Sequence, residues 1–223
     1  MRTPLFDTAV AELRRSRFDS AMPVADRLLD IRTRLRDRVF DPGTGADRVR
    51  RPASQVERRP RRLAQRYRDR PIELLTHQEC RAHMPSDLVR HLFAATFGEA
   101  TGESPRLIDF PKSLLPSHKN VDPERVEDSI FKDRFRVQIA GRHSMTVTSH
   151  IAKDGHAFIH PKPMQCRSFT VREAARLKTF PDSYVFLGNR TAQYTQVGNA
   201  VPPYLAHWIA EIVAGVLKRA KLV

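Results

Sequence analysis

Hydrophobic and polar positions alternate along this chain in three different rhythms. From Ala25 to Phe40, Leu28, Leu29, Ile31, Leu35 and Val39 form a broken apolar stripe at helical spacing, and Asp41-Pro42-Gly43 stops it. Within Glu79 to Glu99, Leu88, Leu92, Phe93 and Phe97 recur at helical intervals, and Pro85-Ser86-Asp87 marks a fresh helix start. Ser104 to Asp128 carries Pro105, Pro111, Pro116 and Pro123 and reads as loop with short turns. The rhythm then changes to alternation in Phe135-Arg136-Val137-Gln138-Ile139 and in Met145 to Ile151, with a third apolar run at Ala157-Phe158-Ile159-His160. Lys153-Asp154-Gly155-His156 joins the last two, and Asp-Gly suits a tight hairpin turn. These three runs predict a small antiparallel sheet. Near the end, Thr170-Val171-Arg172-Glu173 is a capping box that opens a helix, which Phe180-Pro181-Asp182 closes. Gly198 is expected to break the chain, and Pro202-Pro203 to open a last helix. Its stripe of Leu205, Trp208, Ile209, Ile212, Val213, Val216 and Leu217 needs a surface to dock on.

Charge adds a partner to this picture. The formal net charge is +14 and the pI about 10.6, a balance that calls for a polyanion, with nucleic acid ahead of a membrane surface. The first seventy residues hold nineteen arginines, no lysine and ten acids, so Arg58-Arg59-Pro60-Arg61-Arg62 and its surroundings have little to bury. Cys80 and Cys166 lack metal-ligand spacing, and His156 and His160 flank a predicted strand, so the reading assigns no metal and no disulfide. No run of 18 apolar residues occurs, and the expectation is a cytoplasmic protein of bacterial type with no membrane contact.

Two segments are specific enough to suggest a family. One runs from Arg167-Ser168-Phe169-Thr170-Val171-Arg172-Glu173-Ala174-Ala175-Arg176-Leu177 to Phe180-Pro181-Asp182-Ser183-Tyr184, and the other is Gln193-Tyr194-Thr195-Gln196-Val197-Gly198-Asn199-Ala200-Val201-Pro202-Pro203. In this order and separation they resemble the ninth and tenth conserved motifs of the cytosine-5 DNA methyltransferases. Arg142-His143-Ser144-Met145-Thr146-Val147-Thr148 is similar to the lead-in to the ninth motif. The resemblance is firm over about residues 130–215 and weaker before.

The resemblance implies an α+β chain: a small mixed target-recognition domain, then a helical C-terminal return that packs on a Rossmann-like catalytic domain binding S-adenosylmethionine. Three regions follow: an Arg-rich segment over 1–70, a recognition region over 71–165, and the two motifs with the final helix over 166–223. By the same resemblance Asn199 and Ala200 fall at the cofactor pocket, although Gly198-Asn199 also reads simply as the turn before the last helix. Arg172, Glu173 and Arg176 are expected to serve as buried ion pairs and caps. The family flips its target cytosine from the duplex and reads neighbouring pairs in the major groove. Arg142, His143, Thr146, Thr148, His150, Lys153 and His156 are the candidate contacts, each with the alternative of merely facing solvent.

Methylating carbon 5 of cytosine requires a thiolate at carbon 6, which the family draws from a Pro-Cys pair, with a Glu-Asn-Val motif beside it. Neither motif is in this sequence, and its nine glycines form no cofactor loop. Chemistry would therefore come from a complementary catalytic polypeptide. A non-enzymatic DNA-binding protein and an inactive fragment are the alternatives, and a link to a restriction system is left open.

Overall fold

The computed structural model describes residues 4–16, 19–35, 49–50, 74–117, 120–129 and 134–220. The chain divides into two compact units, each built from non-contiguous segments. The first comprises Met1–Gly45, Cys80–Met145 and Asp154–Phe169; the second comprises Ala46–Glu79, Thr146–Lys153 and Thr170–Val223.

The first unit is helical. Helix α1 (Pro4–Arg15) buries Phe6, Ala9, Val10 and Leu13, a spacing that places all four on one side. Helix α2 (Ala21–Leu35) buries Val24, Ala25, Leu28 and Ile31 against the same core. It starts four residues before the apolar stripe suggested, and the tail of the predicted helix, residues 36–40, lies outside the described residues. Helix α3 (Pro85–Thr101) begins with proline at its first turn, where a missing amide leaves no bond unmade, and ends on Gly102 in the left-handed conformation at φ 74°. Residues 79–84, inside the predicted helical region, have no regular structure, so the start signal at Pro85 governs. Leu92, Phe93, Ala94 and Ala95 of α3 are at most 1% exposed and form the centre of the unit.

The expected antiparallel sheet is not formed by the three alternating runs. Val137 makes one parallel bridge to Ile159, and Ile159 one antiparallel bridge to Ser168. The physical reason is local competition for backbone groups. Ser104 Oγ accepts from the Val137 amide at 3.1 Å, and the Gln138 side chain accepts from the Met145 amide at 3.2 Å. Side chains thus satisfy these two donors, while the Arg136 and Gln138 amides bond the His156 and Ile159 carbonyls around the single parallel bridge. The end of the second run, read as strand to Ile151, lies in a turn of 3₁₀-helix, Ser149–Ala152. The Asp-Gly turn does form, with Gly155 at φ 73° and the His156 amide donating to Asp154 Oδ1 at 3.0 Å, but it joins no hairpin. The two-stranded ladder among the described residues is elsewhere, β1 (Val49–Arg50) antiparallel to β2 (Leu74–Leu75).

The second unit carries the motif segments on three helices, α4 (Val171–Leu177), α5 (Arg190–Asn199) and α6 (Pro203–Arg219). The capping box at α4 is reciprocal. The Glu173 amide donates to Thr170 Oγ1 at 3.2 Å, and the Thr170 amide to Glu173 Oε2 at 2.8 Å. Helix α5 starts on Asn189, whose Oδ1 accepts from the Ala192 amide at 2.9 Å. Gly198 does not break the chain as expected; it lies in the last turn of α5. A Cβ there would stand 2.4 Å from the Ser149 backbone, so glycine is required by close approach.

Helix α6 opens with Pro203 at its first position, as its sequence predicts, and none of its residues is buried. Among the described residues Arg190–Arg219 is long and apolar enough, at mean hydropathy 1.3, to cross a membrane by length and composition. Val201-Pro202 interrupts that stretch. Alone, the 17 residues of α6 reach about 25 Å, short of the roughly 30 Å hydrocarbon layer.

Candidate functional site

The second unit is organised around a buried arginine. Arg172, 0% exposed, spends its guanidinium on neighbouring backbone and one hydroxyl. Nε donates to the Thr76 carbonyl at 3.2 Å and Nη1 to the Pro181 carbonyl at 3.1 Å. Nη2 donates to Thr76 Oγ1 at 3.1 Å and to the Tyr184 carbonyl at 2.6 Å. The planar fork thereby ties α4 to the segment before it and the loop after it, which a lysine could not do. The expected ion pair belongs instead to Arg176, whose Nε reaches Asp182 Oδ1 at 2.8 Å, with Asp182 fully covered. Glu173 is the cap.

His77 links this frame to the second motif. Its Nε2 accepts from the Phe186 amide at 3.0 Å, and its Nδ1 faces Gln193 Oε1 at 3.2 Å. An acceptor on one nitrogen fixes the proton on the other, so Nδ1 is the donor. Gln193 in turn donates from Nε2 to the Gly188 carbonyl at 2.8 Å. His77 holds this position from a left-handed backbone, φ 63°. Sequence reasoning passed over His77, because nothing in its neighbours signals a partner 116 residues away.

Lys178 is the second residue that the sequence did not single out. Its Nζ donates to the carbonyls of Gly198 at 2.9 Å and Ala200 at 2.7 Å. A cation at a helix C-terminus satisfies carbonyls that have no intrahelical partner and meets the negative end of the dipole. Burial lowers its pKa from the ordinary lysine value. Thr179 Oγ1 then accepts from the Tyr204 amide at 3.1 Å, fixing the entry to α6.

These bonds determine what Asn199 and Ala200 have left to offer a cofactor. Ala200 uses its amide on the Gln196 carbonyl at 3.1 Å and its carbonyl on Lys178, so only its methyl group is available. Asn199 is exposed at the end of α5, with a side chain able to donate and accept. The pair fits one apolar and one polar point on the wall of a nucleoside pocket; the rest of such a pocket must be built by other residues.

The predicted DNA contacts fall on both units. Arg142 and His143, both exposed, border an open cleft of about 240 Å³ in the first unit that Arg136 and Gln138 also line. Thr146, Thr148, His150 and Lys153 are exposed in the second unit. His156 is not available to DNA. It is 6% exposed, packed on Phe135 at 4.6 Å between centroids and bonded through Nδ1 to His91 Nε2 at 3.0 Å. Its place just after the turn suggested a loop tip, but the turn folds inward and carries it into the core. Arg58 to Arg70 lie outside the described residues.

Cys166 does not behave as a nucleophile. Burial pushes its thiol up to about 12, and Sγ lies 2.9 Å from the Leu88 carbonyl, to which it donates. A thiol in that state supplies no thiolate at neutral pH.

A buried arginine, a histidine and a lysine thus lock the two motif segments together within the second unit. The chain belongs to the C-5 cytosine-specific DNA methylase family, whose model matches residues 65–214. It is 53% identical over 103 residues to a type II methyltransferase of Bacillus paralicheniformis, covering 46% of this chain and 22% of the relative. It is 37% identical over 136 residues to a type II methyltransferase of Haemophilus parahaemolyticus, covering 53% and 36%. A DNA (cytosine-5-)-methyltransferase of Aeropyrum pernix is 31% identical over 117 residues, covering 48% and 24%. The chain therefore matches only between a fifth and two fifths of these relatives' length. No solved structure matches it.

Proposed function

We propose that this chain is the DNA-recognition and C-terminal portion of a cytosine-5 DNA methyltransferase. It works with a complementary polypeptide that carries the Gly-rich cofactor loop and the Pro-Cys nucleophile. The observation that carries this reading is the open apolar face of α6, where Leu205, Ile209, Ile212, Val213 and Val216 are each about half exposed or more. A face of that kind on a family member is expected to be covered by the catalytic domain. The family transfers methyl groups from S-adenosylmethionine, and the complementary polypeptide would bind most of that cofactor. Asn199 and Ala200 would complete the pocket wall, held in place by Lys178. Arg142, His143, Thr146, Thr148, His150 and Lys153 would meet duplex DNA, arginine being suited to guanine and lysine to phosphate. Residues 71–165 form the recognition region in this reading and residues 166–223 the return to the catalytic domain.

The test is transfer of labelled methyl groups from S-adenosylmethionine to DNA, by the chain alone and by the chain mixed with the complementary polypeptide. Activity in the mixture alone supports the reading. Activity of the chain alone refutes the need for a partner. Silence in both, with DNA binding retained, would favour a non-enzymatic DNA-binding protein instead.

A further inference from the structure

The first unit contains a cluster of imidazoles that neither recognition nor methyl transfer uses. His83, His91 and His156 each place one ring nitrogen so that the three atoms lie within 4.8 Å of one another. His83 precedes α3, His91 lies on it, and His156 arrives from the Asp-Gly turn. The set was invisible to spacing rules, since the sequence reading weighed His156 only against His160.

We propose that His83, His91 and His156 form a structural zinc site that pins the Asp-Gly turn to helix α3. Zinc with neutral imidazole ligands is tetrahedral, with bonds of about 2.0–2.1 Å, which sets ligand nitrogens about 3.3 Å apart. His91 Nε2 and His156 Nδ1 are 3.0 Å apart. No pair is wider than 4.8 Å, so none needs to close by more than about 1.5 Å. A water molecule would complete the four.

The surroundings suit a bound cation. His91 is 0% and His156 6% exposed, so the facing ring nitrogens are shielded from water. His156 Nε2 lies 3.7 Å from Asp87 Oδ2, a carboxylate near enough to offset added positive charge. Asp87 is itself held by Arg90 Nη1 at 2.8 Å.

The full chain, free of any affinity tag and stripped with chelator, is titrated with zinc chloride by calorimetry and with cobalt chloride by visible absorption. The expected result is one equivalent of zinc, the absorption of four-coordinate cobalt, and a rise of several degrees in melting temperature at saturating zinc. His83→Gln should weaken zinc binding by at least about tenfold, while His207→Gln on α6 leaves it unchanged. No uptake at micromolar zinc overturns the proposal, as does equal uptake by a folded His83→Gln protein. Should that variant fail to fold, the imidazole proton resonances of the unmodified chain decide. Shifts of the three buried histidines on adding zinc support the site, and unchanged resonances with bound zinc overturn it.

Discussion

Helices α3 and α6 have the same length, 17 residues, and the same opening proline, yet they end in opposite surroundings. In α3 the run from Val89 to Ala95 is enclosed by α1, α2 and the loops around Phe110 and Leu114. In α6 Trp208 is 42% and Ile212 66% exposed. Both sequences carry an apolar stripe, and that of α6 is the more sharply segregated. The difference teaches that such a stripe states a demand for a partner surface and says nothing about whether the same chain supplies it. In the first unit α1 and α2 meet the demand. In the second, Thr179 and Lys178 fix where α6 begins, and nothing among the described residues covers its face.

The strongest way to break this comparison is to cut one large apolar side chain from each helix. Phe93→Ala should cost about 3–5 kcal/mol, whereas Ile212→Ala should stay within about 0.5 kcal/mol, both read from urea unfolding of the chain. Equal losses would mean that α6 is covered in solution, for instance by a second copy. Ile212→Asp should leave the chain's stability alone and abolish methyl transfer in the mixture with the complementary polypeptide.

Next in size is the polar counterpart of that core. Arg172→Met keeps the bulk but strands the Thr76, Pro181 and Tyr184 carbonyls, at a cost of roughly 3 kcal/mol. Urea unfolding followed by a probe in the second unit would measure it, and a neutral result would demote Arg172 from organiser to filler. Gly198→Ala should then lose about 1–3 kcal/mol through overpacking against Ser149. Loss of thermal stability with neither cofactor nor DNA present would separate a steric clash with the Thr148–Ser149 backbone from loss of a cofactor contact.

The smallest effect near neutrality comes from the buried imidazoles. Their folded values lie below the ordinary 6.5, so the unfolded chain binds more protons as pH falls. The charged groups facing them are Asp87 and Asp154, which raise these values, and Arg81, Arg90 and Arg134, which lower them. Stability should be level above about pH 6.5 and decline as pH drops toward 4. Melting temperatures from pH 8 to 4 check this, and His83→Gln should flatten part of the slope. A decline on the alkaline side would reverse the sign and reject the assignment.

Local signals were legible wherever the deciding interaction lay within a few residues. The Thr170–Glu173 capping box, the proline starts of α3 and α6 and the Asp-Gly turn all span four residues or fewer. The family was legible too, because its two motifs are contiguous runs. Alternation at residues 135–151 misled: the first run meets the third only through one parallel bridge, and the Val137 and Met145 amides go to Ser104 and Gln138 side chains. His156 misled for a related reason: a turn sequence fixes that the chain reverses, not which side it reverses toward.

By itself, then, the sequence determined the family, the starts of α3, α4 and α6 and the demand of α6 for a covering surface, because propensity, capping and periodicity act through near neighbours. Only the tertiary structure decided that His77 joins Gln193, that Lys178 fixes Ala200, and that three histidines from distant segments meet beside α3. Those pairings rest on close packing between elements far apart in the chain, where a partner is selected by shape and burial and leaves no mark at any fixed spacing.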